Sequence, residues 1–137
     1  MKVLVDTSAW SVALRRKSRS LTDETTSALA TLVEDGRVVM IGAIRQELLS
    51  GIKDHAQFDR LREHLRAFPD LPLTGEDYEE AAAFFNTCRE RGIQGSNTDF
   101  LICAVAVRNG FSILTNDEDF KRFSRVLPVL LHTDAAS

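Results

Sequence analysis

The sequence predicts an α/β fold in which a central parallel sheet of about four to five strands is flanked by helices on both faces. Short apolar runs alternate with longer segments whose apolar residues recur at helical spacing, and this alternation is typical of parallel sheets. The segments are separated by short breaks, with no linker between them. A chain of 137 residues is long enough for one well-packed core, so we expect a single domain over residues 1–137.

Five apolar runs are the expected strands. They are residues 2–5, 37–41, 71–73, 112–115 and 129–131. The run at 71–73 is expected at an edge of the sheet, because edge strands are often very short.

Helix ends are predicted from capping residues. The segment 6–8 (DTS) precedes the first helix, Thr22 the second, and Thr74 a long helix that runs to residue 91. Ser, Thr and Asp side chains accept hydrogen bonds from the first free N–H groups of a helix. Gly36 and Gly92 are expected to end the second and the long helix.

The remaining helices differ in how apolar they are. A short helix is expected between Gly42 and Gly51, and the next one has apolar residues on one face and is closed by Pro69. The segment 100–108 is apolar nearly all round, so its helix is expected to be buried against the sheet.

Four acidic residues lie where parallel α/β sheets bind ligands. Asp6 ends the first strand, and Asp117 follows the strand at 112–115. Glu47 is expected to open the helix after the second strand, and Asp99 to open the buried helix. Ligands bind beyond the carboxyl ends of such strands, and carboxylates gathered there repel one another unless a cation joins them. Because Mg²⁺ and Mn²⁺ prefer oxygen ligands, the sequence predicts a site for one or two such ions.

Each acid also has a purely structural explanation. Asp6 and Asp99 suit helix caps, and Glu47 suits a first helical turn, where the dipole favours it. Asp117 suits a turn in which Asp119 is equally acidic. A shared metal site is favoured because four independent structural roles would all have to place an acid at the same edge of the sheet.

Bulk composition limits the class of protein without naming a function. The net charge of -3 is compatible with nucleic-acid binding when cationic residues are clustered. Cys88 and Cys103 fall on different helices without the spacing of a zinc or redox motif, and we expect both to be buried. With no signal-peptide pattern and no apolar run of membrane length, we expect a cytoplasmic protein with no membrane partner.

Four motifs, in order along the chain, resemble those of the PIN-domain ribonucleases and, within them, the VapC toxins of bacterial toxin–antitoxin pairs. The motifs are VLVDTS at 3–8, IRQEL at 44–48, DFLICAVA at 99–106 and ILTNDEDF at 113–120. No single motif is decisive, but the ordered set covers essentially the whole chain. Cys103 stands where many relatives carry Ala, which should not affect the chemistry.

The resemblance implies a PIN-like fold and a Mg²⁺- or Mn²⁺-dependent endoribonuclease that leaves a 3′ hydroxyl and a 5′ phosphate. Asp6, Asp99 and Asp117 match metal ligands of the family, direct or through water. Glu47 matches a ligand or the group that orients the attacking water. Asp117 is preferred as the ligand over Asp119, which is assigned a water-mediated or structural role.

Two threonines are candidates for supporting this site. A cap or strand-end hydrogen bond is the expected role of the Thr7 and Thr115 hydroxyls, and holding a carboxylate or a metal-bound water is the alternative. The resemblance further implies an RNA substrate, a VapB-like antitoxin whose peptide tail lies in a groove, and a homodimer.

RNA contact is expected from cations near the acids, because each neutralised phosphate adds affinity. The candidates are Arg15, Arg16, Lys17, Arg19 and Arg45. A charged helix end that is merely solvated is the alternative for the first four.

Two other classes of protein remain alternatives. A non-catalytic PIN-like binding module would keep the four acids only as caps. A phosphoacceptor receiver domain has a similar length and a parallel sheet, but it requires paired acids after the first strand and a late Lys, which residues 6–8 and 115–117 lack.

Overall fold

Strands and helices alternate along the chain as predicted. The computed structural model describes residues 1–15 and 24–132. Its elements, in chain order, are β1 (Val3–Val5), α1 (Thr7–Arg15), α2 (Glu24–Glu34), β2 (Val38–Val39), α3 (Gly42–Leu49), α4 (His55–Leu65), α5 (Gly75–Glu90), α6 (Asn97–Asn109), β3 (Ser112–Leu114) and α7 (Asp119–Phe123). The predicted cap Thr22 and the cations Arg16, Lys17 and Arg19 lie outside the described residues.

β1 is the central strand of a parallel sheet with the order β2-β1-β3. Val3 pairs with Val38 on one side and with Ser112 on the other. All three residues of β1 have an exposed fraction of 0%, which explains why the strand is an unbroken apolar run in the sequence. The parallel order brings the carboxyl ends of β1 and β3 to the same edge of the sheet.

The two outermost predicted strands, 71–73 and 129–131, are not formed. Each is replaced by a single parallel bridge beside the three-stranded sheet, Met40–Asp70 and Ile113–Leu131. The N–H of Leu71 donates to the carbonyl of Met40 at 2.8 Å, but the neighbouring chain leaves the sheet after Met40 and enters α3 at Gly42, so residues 71–73 have no strand to pair with. The predicted count of four to five strands was therefore wrong at the edges, while the α/β class and the parallel order are confirmed.

The buried helix α6 organises the core. Its residues 100–106 are all buried, and the helix contacts β1, β3 and α5. Near its C-terminal end, Arg108 Nε lies 2.9 Å from Oδ1 of the buried Asp77 on α5. Asp77 also completes a capping box with Thr74, the predicted cap of α5. The Asp77 carboxylate therefore both caps the first turn of α5 and connects α5 to α6.

One predicted helix start and the predicted position of Glu47 within its helix were wrong. α6 begins at Asn97 rather than at residue 100, because Ser96 is its cap and Asp99 is its third residue. The spacing of Ser96 and Asp99 is that of a capping box, with Asp in place of the usual Glu. α3 begins at Gly42, so Glu47 lies in its second turn and does not open the helix.

Large and sulfur-containing side chains fill the interior as expected. Trp10 has an exposed fraction of 2% and packs edge-on against Phe68, with ring centroids 5.2 Å apart. Cys88 and Cys103 are buried free thiols, which confirms the prediction for both. Within the described ranges, no helix is long and apolar enough to cross a membrane.

Candidate metal site

Asp6 lies at the carboxyl end of β1, where the chain leaves the sheet and enters α1. Its N–H donates to the carbonyl of Leu114 on β3 at 2.9 Å. Its own carbonyl accepts the N–H groups of Ala9 and Trp10 in the first turn of α1. The backbone of Asp6 is therefore fixed by the sheet on one side and by the helix on the other.

The Asp6 carboxylate is buried, with 4% of the residue exposed, and two hydroxyl groups hold it. Ser8 Oγ donates to Oδ2 at 2.7 Å, and Thr115 Oγ1 donates to the same oxygen at 2.8 Å. Burial raises the pKa of Asp6, whereas these two bonds and the backbone N–H groups of Thr7 and Ser8 lower it. The pKa remains raised overall, which means that the hydrogen bonds do not fully offset the loss of water around the charge.

The same two hydroxyls also fix the turn after β3. Ser8 Oγ accepts the N–H of Asn116 at 2.9 Å, and Thr115 Oγ1 accepts the N–H of Asp117 at 3.0 Å. Each hydroxyl thus connects the Asp6 carboxylate to the backbone that carries Asp117. Sequence reasoning treats Ser8 only as part of a cap and misses this contact, although a hydroxyl two residues after an Asp is within hydrogen-bonding reach.

Asp99 is half-buried at the start of α6 and takes part in a reciprocal cap. Its Oδ2 accepts the N–H of Ser96 at 3.0 Å, and its own N–H donates to Ser96 Oγ at 3.1 Å. Burial raises the pKa of Asp99, the two Ser96 bonds lower it, and the negative charges of Asp6 and Asp117 raise it further. Asp99 is therefore close enough to both Asp6 and Asp117 to be affected by their negative charges.

Asp117 and Asp119 have different surroundings. Asp117 Oδ1 accepts the N–H of Asp119 at 2.9 Å, and the charge of Asp117 acts on Asp99. The Asp119 carboxylate is paired with the Arg122 side chain one turn later in α7. This geometry supports Asp117 rather than Asp119 as the acid that faces the site.

Glu47 lies on the exposed side of α3 and is connected to α1. Thr7 Oγ1 donates to Glu47 Oε1 at 2.6 Å. Thr7, Glu47 and Thr98 line one groove of about 570 Å³. Because Glu47 lies in the second turn of α3, the first-turn dipole explanation for this acid does not apply.

These four acids, Asp6, Glu47, Asp99 and Asp117, form no ion pair with a cationic side chain among residues 1–15 and 24–132. Within those residues, no three His, Cys, Asp or Glu side chains already stand in an arrangement that holds an ion directly. The donors are nevertheless all oxygen, and two of the acids have a raised pKa. Mg²⁺ keeps several of its waters in proteins. Acids that are too far apart to hold an ion directly can therefore still bind a hydrated divalent ion through those waters.

The cations predicted to contact RNA are only partly described. Arg15 is exposed at the end of α1. Arg45 is bound within the fold: Nε donates to Asp70 at 2.9 Å, Nη1 to the carbonyl of Leu65 at 3.1 Å, and Nη2 to the carbonyl of Phe68. These bonds satisfy carbonyls at the end of α4, and an RNA contact by Arg45 stays a prediction.

Comparison with known proteins identifies the class to which this fold and site belong. A model of the PIN domain matches residues 3–126, and the chain therefore belongs to the PIN-domain family. Among its relatives are a VapC ribonuclease of Mycobacterium bovis and ribonuclease VapC11 of Mycobacterium tuberculosis, each 31% identical over 126 residues, covering 90% of this chain and 92% of the relative. The predicted resemblance is confirmed, and the receiver-domain alternative is removed.

Solved structures have the same fold. The VapBC2 structure from Rickettsia felis, bound to a promoter DNA fragment, gives a TM-score of 0.76 at 19% identity, covering 96% of this chain and 98% of the matched chain. FitAcB from Neisseria gonorrhoeae gives 0.72 at 20% identity, with coverages of 95% and 96%. At these identities the likeness concerns the fold alone.

Proposed function

We propose that this chain is a Mg²⁺- or Mn²⁺-dependent endoribonuclease and the toxin of a VapBC-type toxin–antitoxin pair. The observation that carries the proposal is the buried Asp6 carboxylate, which is close enough to Asp99 to raise its pKa and has no cationic partner among the described residues. A divalent cation at this edge of the sheet would remove that repulsion. The names of the mycobacterial relatives support ribonuclease activity.

Asp6, Asp99 and Asp117 are the residues that would hold the cation, one or two ions in number, directly or through water. When bound, a divalent ion lowers the pKa of its water towards neutrality and offsets the charge that develops on the phosphate. The chain contributes the orientation of the ligands. Ser8 and Thr115 both donate to Asp6 Oδ2, which fixes the plane of the carboxylate, as supporting hydrogen bonds do in metal sites.

Glu47 is the group that we assign to the attacking water. The Thr7 hydroxyl occupies Oε1, and we assign Oε2 to accept the proton of the water as it attacks the phosphorus. A carboxylate held in place by one hydrogen bond reaches the water in a defined geometry, which general-base catalysis requires.

The proposal includes the partners of the chain. The solved relatives described as VapBC complexes support a VapB-like antitoxin that blocks the site and is released when the toxin acts. We also propose a homodimer and an RNA substrate, encountered in the cytoplasm.

The test is cleavage of a mixed pool of structured RNA by the purified chain with Mg²⁺ or Mn²⁺, with a chelator, and with the Asp99→Asn variant. Asp35→Asn is the matched control, because Asp35 is exposed and lies beyond α2, away from the site. We expect discrete fragments from the wild type and from Asp35→Asn, and none with chelator or from Asp99→Asn. Cleavage that persists in the chelator would contradict the metal mechanism, and metal binding without any cleavage would favour a non-catalytic module.

A further inference from the structure

A cleft of about 410 Å³ lies between α5 and α6, and we call it the α5–α6 cleft. Tyr78, Phe85 and Asn86 line it from α5, and Asn97 and Thr98 line it from α6. Its volume falls in the range of about 300–1,000 Å³ that is usual for small-ligand pockets. None of these residues has a part in the metal chemistry proposed above.

The α5–α6 cleft adjoins a groove that contains Glu47 and a smaller pocket that contains a cation. Thr98 lines both this cleft and the groove that contains Thr7 and Glu47. Phe85 lines both this cleft and a smaller pocket that contains Arg89. The cleft therefore neighbours both the groove of Glu47 and the pocket of Arg89.

The walls of the cleft offer aromatic rings. Tyr78 has an exposed fraction of 56%, which is high for a large hydrophobic side chain in this fold. Phe85 is half-buried and packs edge-on against Phe100, with centroids 5.5 Å apart. Aromatic side chains on single-strand-binding surfaces stack with nucleobases irrespective of base identity.

The cleft also offers polar groups suited to base edges. Asn86 and Asn97 are exposed. Neither side-chain amide hydrogen-bonds to another residue of the described ranges. An amide both donates and accepts, as the edges of unpaired bases require. Arg89, with its guanidinium carbon 5.7 Å from the centroid of the Phe85 ring, adds positive charge beside the cleft.

We propose that the α5–α6 cleft binds an unpaired nucleobase of the RNA next to the scissile phosphate. Tyr78 stacks on the base, Asn86 and Asn97 contact its edge, and Arg89 holds a neighbouring phosphate. This inference rests on the proposed ribonuclease function and deepens it, because a base within a duplex cannot enter such a cleft. The substrate is therefore single-stranded at this position.

Binding is measured first, in the Asp99→Asn background with Mg²⁺, so that the RNA is not cut. The probe is a short unpaired RNA that carries 2-aminopurine at successive positions, because stacking on a tyrosine quenches this base. We expect quenching at one position, lost in Tyr78→Ala together with about five- to 150-fold of affinity, and retained in Tyr78→Phe. Leu130→Ala is the control, since Leu130 is 60% exposed and does not line the cleft.

Cleavage is measured second, in the otherwise unaltered chain. Tyr78→Ala is expected to raise KM and to relax the preference for the base beside the cut, with kcat little changed. Arg89→Gln is expected to reduce the slope of the logarithm of the binding constant against the logarithm of the salt concentration by about one. Arg125→Gln, an exposed arginine outside the cleft, is expected to leave that slope as it is.

Three results would overturn the inference. One is unchanged quenching, affinity and KM in Tyr78→Ala. Another is a change in sedimentation of the free chain on Tyr78→Ala, which would make the cleft a contact between two copies. A third is protection of Tyr78 by an antitoxin peptide while Tyr78→Ala changes neither the binding nor the cleavage of RNA. A wild type that cuts no RNA would refute the proposed function, while the quenching measurement would still decide whether the cleft binds a base.

Discussion

Thr7 Oγ1 and Glu47 Oε1 are joined by a hydrogen bond of 2.6 Å, although forty positions separate the two residues. Thr7 is the first residue of α1, directly after Asp6, and Glu47 lies in the second turn of α3. The bond therefore sets the distance between the buried acid at the end of β1 and the exposed acid that we assign to the attacking water.

Thr7→Val is expected to lower kcat for RNA cleavage about 10- to 100-fold, the usual loss when a supporting contact at a metal site is removed. Thr7→Ser keeps the hydroxyl and is expected to retain most activity. Single-turnover cleavage rates over a range of Mg²⁺ concentrations measure the effect. Equal rates for Thr7→Val and the wild type would remove Thr7 from the mechanism.

Ser8→Ala is expected to destabilise the chain by about 1–3 kcal/mol, because both Asp6 and the Asn116 N–H lose a partner in a part-buried site. Thr115→Val should have a similar effect. Since the two hydroxyls share the same Asp6 oxygen, the double variant is expected to be non-additive. Urea unfolding of the four chains measures the coupling, and strictly additive changes would contradict a shared network.

Asp99→Asn is expected to stabilise the metal-free chain at neutral pH by about 0.5–2 kcal/mol. The folded pKa of Asp99 is raised by burial and by neighbouring negative charge, so its contribution to stability falls as pH rises from the unfolded pKa of about 3.9 through the folded value. The Asn side chain of the variant does not ionise, so the variant does not lose this stability as pH rises. In the wild type, Mg²⁺ should instead stabilise by about 2.7 kcal/mol at a hundredfold excess over Kd.

Thermal unfolding of the wild type, Asp99→Asn and Asp35→Asn, each with Mg²⁺ and with chelator, measures both effects. A Mg²⁺-induced rise in Tm that is the same in Asp99→Asn would show that Asp99 does not contribute to the ion's site.

Asp77→Asn is expected to destabilise the chain by about 1–2 kcal/mol at neutral pH. The Thr74 N–H bond and the Arg108 guanidinium hold the pKa of Asp77 below its usual range. The stability that the ionised Asp77 carboxylate contributes is therefore present above the unfolded pKa and is lost as pH falls through the lower folded pKa. Urea unfolding across this acidic range should show the difference between wild type and variant shrinking, and a difference that persists at the lowest pH would argue against ionisation as its source.

Gly95→Ala is expected to destabilise the chain by about 1–3 kcal/mol, the usual effect of overpacking. A Cβ at this position would lie 2.6 Å from Phe123 Cζ and 3.0 Å from Phe100 Cε2. Since Gly95 precedes the Ser96 cap of α6, activity should fall with stability. Gly75→Ala has no atom within 4 Å of the added carbon and is the control, so equal melting temperatures for the two variants would contradict the packing argument.

Local patterns in the sequence predict much of this fold and some of the local structure around the candidate site. The apolar run of β1 and the acid after it are recognisable because both depend on adjacent residues, and the same holds for Asp99 at the start of the buried α6. The Thr74 cap of α5 is equally local. The caps of α5 and α6 are fixed by hydrogen bonds between residues three positions apart.

The features that the sequence does not reveal depend on contacts between distant segments. Ser8 contacts Asn116 across 108 positions, and Arg45 contacts Asp70 across 25 positions, so neither role follows from neighbouring residues. The edge strand at 71–73 is not formed because the neighbouring chain enters α3 at Gly42, and apolar character alone does not report that.

The span of the chain between Asp6 and its second hydroxyl partner has a consequence for protein synthesis. Thr115 reaches Asp6 from 109 positions later in the chain, and Asp117 comes later still. During translation, N-terminal segments emerge first and domains fold as units. A partly translated chain that ends before residue 115 lacks both the fourth acid and one of the two hydroxyls that orient the first one, so we expect the emerging polypeptide to be unable to cut the message from which it is being translated.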